Sequence, residues 1–68
     1  MEFSVRESSG ITGVPLKDLS LKQGVIISFI KRGKDVIIPS GADTIEVGDS
    51  VMVVTTQSGF TDLTDILG

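Results

Sequence analysis

Neither cysteine nor histidine occurs among the 68 residues. Without cysteine no disulfide can staple the fold, and without either residue no Cys/His cluster can hold zinc. Catalysis built on a thiol or an imidazole is excluded by the same two absences. A serine or threonine nucleophile then needs a lysine or an N-terminal amine as its base, and no hydroxyl stands at a recognisable spacing from one. Carboxylates are numerous, but Asp49 follows Gly48 in a turn-like pair and Asp62 falls where a helix begins. Each therefore has a structural explanation. The chain is expected not to be an enzyme.

Positive charge is also missing from half of the chain. All six basic residues (Arg6, Lys17, Lys22, Lys31, Arg32, Lys34) precede residue 35, while Asp35, Asp43, Glu46, Asp49, Asp62 and Asp65 follow with no base among them. A net charge of −3 disfavours binding to a phosphate backbone. The Lys31-Arg32-Gly33-Lys34 cluster has no aromatic residues interleaved with it, so nucleic acid is not an expected partner. Gly10-Ile11-Thr12-Gly13 lacks the lysine of a phosphate loop, and the acids after residue 34 do not follow the spacing of a calcium loop. No apolar run approaches the roughly 18–20 residues that cross a bilayer, and the N-terminus does not read as a secretory signal. Membrane insertion is not expected, and the absence of cysteine fits the cytoplasm.

What is present is a compact set of strand signals. Sixty-eight residues make one domain, 1–68, near the lower size limit for folding without staples, and its start almost directly on a strand suggests a piece of a longer chain. A core of this size supplies only about 3–5 kcal/mol. Yet 40% of the residues are apolar, so part of that surface is expected to meet a partner, most simply a second copy of the chain. Glu2–Glu7 alternates as a half-buried strand with Phe3 and Val5 on one face. Pro15, Leu16 and Leu19 point to a short helix. Val25–Ile30 is the strongest strand, with Val25, Ile27 and Phe29 on one face and Ile26, Ser28 and Ile30 on the other. Both faces are mostly apolar, which predicts a central position. A turn around Gly33 leads to Val36–Ile38, and Pro39 ends that arm. Thr44–Val47 is expected to be briefly extended with Ile45 and Val47 inward, and Gly48-Asp49 to turn the chain into a last strand, Val51–Thr55. Phe60, Leu63, Ile66 and Leu67 predict a C-terminal helix over 58–67, capped by Ser58 or Thr61. The fold class expected is α+β, a small mainly antiparallel sheet with one short and one C-terminal helix.

A pocket between strands is the main site expectation. Ile26, Ile27, Ile38 and Pro39 form an apolar lip, with Arg32 near the hairpin turn. Apolar walls with one charged anchor suit a small anionic ligand bearing flat rings.

The order Pro15-Leu16-x-x-Leu19, Ile30 with Arg32-Gly33, Ile37-Ile38-Pro39 and Gly48-Asp49 before Val51 resembles the C-terminal regulatory domain of TrkA-type potassium-uptake proteins, the RCK C-terminal module. The tail VTTQSGFTDLTDIL is similar to the end of such a chain. The resemblance implies a dimerising α+β domain behind an N-terminal Rossmann domain that binds NAD or ATP. It implies no cofactor in this domain itself, and a ring on the cytoplasmic face of a membrane potassium transporter that it gates. In some relatives cyclic di-AMP binds at the dimer seam. By position Ile26, Ile27, Ile38 and Pro39 match the apolar contacts there, and Arg32 the arginine. The alternative reading is a dimeric hairpin DNA-binding or scaffolding module of AbrB-like type, which also places Gly-Asp turns before apolar strands.

Overall fold

A computed structural model describes residues 1–68. Its centre is one four-stranded sheet of β1 (Glu2–Ser4), β2 (Val25–Arg32), β3 (Asp35–Ile37) and β4 (Ser50–Thr55), in the order β1-β4-β2-β3 and antiparallel throughout. The two longest apolar runs, β2 and β4, lie in the interior. This is the place where a strand apolar on both faces leaves least surface in water. The two three-residue strands take the edges, where their shortness limits the unpaired backbone.

β2 and β3 form a hairpin whose loop is only Gly33-Lys34, because Arg32 already pairs with Asp35. Gly33 adopts φ +60° at the first loop position, the site that two-residue hairpins reserve for glycine in a type II′ turn. At the other end of β2, Gly24 has φ +80°, and an added Cβ would lie 2.6 Å from Thr56 Oγ1. Gly24→Ala is therefore expected to destabilise the domain by roughly 1–2 kcal/mol through backbone strain. Adding Thr56→Ala should recover only the steric part. Thermal melts of the two variants separate the contributions; equal stability of Gly24→Ala and wild type would show that the turn can relax.

The side-chain alternation predicted along β2 holds only for its first half. Ile27 pairs with Val53 and Phe29 with Met52, so Ser28 is an extra residue, a β-bulge. The bulge reverses the faces beyond it. Ile30, which simple alternation places with Ile26, instead joins Val25 in the core, opposite Val51 and Ile37.

The core is the inner face of this sheet covered by connections. Val5, Ile11, Val25, Ile30, Ile45, Val51, Val53, Leu63 and Ile66 form one cluster. Ile11 and Ile45 come from the loops, joined by a parallel bridge between Thr12 and Ile45. Ile45 points inward as expected, but Val47 does not. It stands exposed at the tip of a turn closed by Asp49 N–H donating to the Glu46 carbonyl at 3.1 Å.

Both expected helices are 3-10 turns, Leu16–Asp18 and Leu63–Ile66, so the α+β expectation is corrected to a small antiparallel sheet with 3-10 turns. The tail departs from an α-helix because its backbone bonds go elsewhere. Lys22 N–H donates to the Ile66 carbonyl at 2.7 Å, Gly68 N–H to the Ser20 carbonyl at 2.7 Å, and Leu67 bridges Leu21. Extended pairing of residues 66–68 with residues 20–22 leaves room for a single turn before it, too short to repay α-helix nucleation. Leu63 and Ile66, three apart, both reach the core from that turn. Its cap is Asp62 rather than Ser58 or Thr61: the Asp62 carboxylate accepts from Leu63 N–H at 2.8 Å. The Asp65 carboxylate turns back to accept from Thr61 N–H at 2.8 Å and Asp62 N–H at 3.1 Å, which lowers its pKa.

Candidate functional site

β2 ends at Arg32, and its guanidinium reaches across to the turn that feeds β4. Nε donates to Asp49 Oδ1 at 2.9 Å and Nη2 to Asp49 Oδ2 at 2.8 Å. Nη2 also donates to the Thr44 carbonyl at 2.9 Å. Asp49 Oδ2 accepts a further bond from Glu46 N–H at 2.9 Å. The two partners differ in exposure, since the Asp49 side chain is 1% exposed and that of Arg32 43%. A carboxylate so deeply buried needs such a set of donors to remain ionised. The hydrogen bonds from Arg32 hold its carboxyl below the usual aspartate range, against the opposing effect of burial, and the Glu46 amide adds to them. In turn the bond to Asp49 raises the arginine further above its already high value, with Glu46 and Asp43 adding attraction. The result is a two-pronged clasp between the end of β2 and the segment 44–49.

The Gly-Asp turn was legible in the sequence, but its partner was not. Arg32 lies 17 residues away and carries no pattern that links it to Asp49. Asp49 needs several donors because the fold buries it, and that burial leaves no signal in the local sequence.

The other predicted site residues are divided between surfaces. Ile27 lies on the inner side of β2 and packs against the core. Ile26, its neighbour, points to the opposite face and is 64% exposed. Ile38 is 76% exposed just beyond β3, and Pro39 is half-buried. Within one chain these residues and Arg32 enclose no common cavity. The pocket of about 200 Å³ lies elsewhere, lined by residues 4–7, Ser9 and residues 62–64.

Ile26 belongs instead to an apolar outer face of the sheet. It pairs across the strands with Val54, which is 55% exposed, and Phe29 pairs with Met52 next to them. Val36 and Ile38 extend exposed apolar surface toward the β3 edge. Lys31 and Glu2 stand at the margins of this face, opposite Ser50 and Met52 respectively.

The sequence matches the TrkA-C domain family over residues 1–68. The chain belongs to that family. It is 35% identical over 68 residues to the Trk system potassium uptake protein TrkA homolog 2 of Methanosarcina mazei, and 32% identical over 63 residues to TrkA homolog 1 of the same organism. These alignments take in 100% and 93% of the chain, but the chain spans only 15% and 14% of the length of those curated relatives. In this TrkA-C domain the Arg32-Gly33 and Gly48-Asp49 pairs, far apart in sequence, carry the two ends of one clasp. No helix is long and apolar enough to cross a membrane.

Proposed function

We propose that this TrkA-C domain is a regulatory, non-enzymatic module of a Trk-type potassium-uptake system, acting as a homodimer on the cytoplasmic side of a membrane potassium transporter. The observation that carries the reading is the match of the whole chain to the TrkA-C family, together with the names of relatives that contain such a segment. Within the longer protein, NAD or ATP binds an N-terminal domain outside residues 1–68. This segment contributes assembly and the sensing of a small cytosolic ligand.

The outer face supports the dimer. Ile26 and Val54 leave apolar surface in water that a domain with nine buried hydrophobic residues can ill spare. A second copy covering this face brings Ile26, Ile38 and Pro39 of both chains to one seam. That seam is the place for a flat-ringed anionic ligand such as cyclic di-AMP, with Arg32 at its edge and Ile27 beneath the strand. Such a ligand regulates by binding one arrangement of the two copies more tightly than another.

Mass by light scattering and analytical ultracentrifugation tests the assembly. Wild type is expected to be a dimer and Ile26→Asp a folded monomer; a wild-type monomer at every concentration would sink the dimer. Thermal-shift titration with cyclic di-AMP, ATP and NAD tests the sensing. A ligand at about 100 times its Kd adds about 2.7 kcal/mol of stability, which the melt readily shows. A clean dimer that responds to none of them would leave assembly as the domain's role.

A further inference from the structure

The Arg32 guanidinium has two edges on which a phosphate or carboxylate can be held by paired N–H groups, Nε with Nη2 and Nη1 with Nη2. Neither edge is complete in this fold. The Nε–H is taken by Asp49, and the two hydrogens of Nη2 go to Asp49 and to the Thr44 carbonyl. Only Nη1 has no acceptor within the protein. Asp43, Glu46 and Asp49 add negative charge around this one cation. An arriving anion therefore meets an arginine whose forks are both engaged.

We propose that Asp49 is the specificity-determining residue of this end of the sheet, an internal anion that a phosphate-bearing ligand must displace to be held by an Arg32 fork. The inference rests on the ligand-sensing reading above and supplies its switch. Segment 44–49 is bound to β2 through the same three bonds from Arg32, to Asp49 and to the Thr44 carbonyl. Withdrawing the guanidinium breaks them together and leaves a deeply buried carboxylate with Glu46 N–H as its remaining donor. Such a carboxylate does not stay as it is. The carboxylate must then gain water or a proton, so ligand capture at Arg32 is coupled to a local change at Asp49, within a segment whose backbone stays bonded to Val5 and Gly13. The clasped state refuses the anion, and the opened state accepts it. A ligand that spares the clasp has only Nη1 to bind and gains no fork.

Asp49→Asn keeps the shape and an oxygen for Glu46 N–H but removes the charge that competes for Arg32. Inorganic pyrophosphate and cyclic di-AMP are the probes, titrated by calorimetry against wild type, Asp49→Asn and Asp49→Asn with Arg32→Gln. At least one probe is expected to bind Asp49→Asn roughly tenfold or more tighter than wild type, with the gain abolished by the Arg32 change. Equal affinity in wild type and Asp49→Asn, or no binding by either, overturns the proposal. A readout on the wild-type protein covers the case in which the variants fail to fold. Saturating probe should shift the Arg32 Nε–H resonance and speed exchange of the Glu46 amide. Binding that leaves both signals unmoved overturns the Asp49 switch while the ligand-sensing reading stands. Absence of any binding removes both.

Discussion

Ile30→Ala is expected to leave the domain largely unfolded at 25 °C. Ile30 is fully buried in the longest strand, opposite Val51 of β4 and Ile37 of β3, so its side chain closes the centre of the inner face. Truncating such an isoleucine costs about 2–5 kcal/mol, part from lost transfer energy and part from the cavity left behind. The sheet has little freedom to collapse into that cavity, because both neighbouring strands are held in register. A 68-residue core without staples supplies only about 3–5 kcal/mol in total, so the two magnitudes meet. Far-UV circular dichroism with urea titration gives the measurement. Wild type should show a cooperative transition, Ile30→Val a transition lower by about 1 kcal/mol, and Ile30→Ala little or none. If Ile30→Ala melts within a few degrees of wild type, the nine-residue cluster is not where the stability resides.

Asp49→Ala is expected to cost about 2 kcal/mol at neutral pH, with a pH dependence that identifies the cause. The substitution leaves Glu46 N–H without its acceptor and two guanidinium N–H groups without theirs. Arg32 is partly exposed and recovers water, so the loss falls mainly on the buried side of the clasp and stays below that of a fully buried pair. The folded pKa of Asp49 lies below its unfolded value, near 3.9. The unfolded state therefore takes up its proton first as pH falls. The contribution of Asp49 is complete above about pH 5 and is lost as pH falls toward and through the lowered folded value. Asp65 is shifted in the same direction, so the acid limb of wild type alone does not isolate Asp49. The difference between wild type and Asp49→Ala does. That difference should be constant above about pH 5 and shrink steadily below it; parallel curves down to about pH 2 would mean that the ion pair is not what Asp49 contributes.

The contrast between Ile30 and Asp49 shows how far local pattern reaches. Hydrophobic runs placed β2 and β4 in the interior, and Gly33 and Gly48-Asp49 marked real turns, because strand burial and turn geometry are properties of a few adjacent residues. Simple alternation puts Ile30 on the wrong side of its strand because it assumes a regular ladder. Nothing in Ser28 itself announces the bulge, which exists only once β4 is alongside to define the register. The C-terminal helix failed for a related reason. Phe60, Leu63, Ile66 and Leu67 have helical spacing, but residues 20–22 compete for the same backbone groups and win.

For the candidate site the division is sharper. Ile26, Ile38 and Arg32 could be singled out by residue type, and the two isoleucines are exposed. That Arg32 is already held by Asp49 and Thr44 could not be seen, since each acceptor is more than ten residues distant and belongs to another element.

By itself, the sequence determined the absence of thiol and imidazole chemistry, the strand-rich character and the TrkA-C membership, all of which follow from residue types and their order along the chain. Only the tertiary structure decided which face of β2 is core, that the tail makes a 3-10 turn, and that Arg32 is clasped. Those depend on which distant backbone and side-chain groups arrive within hydrogen-bonding distance, and local order does not carry that information.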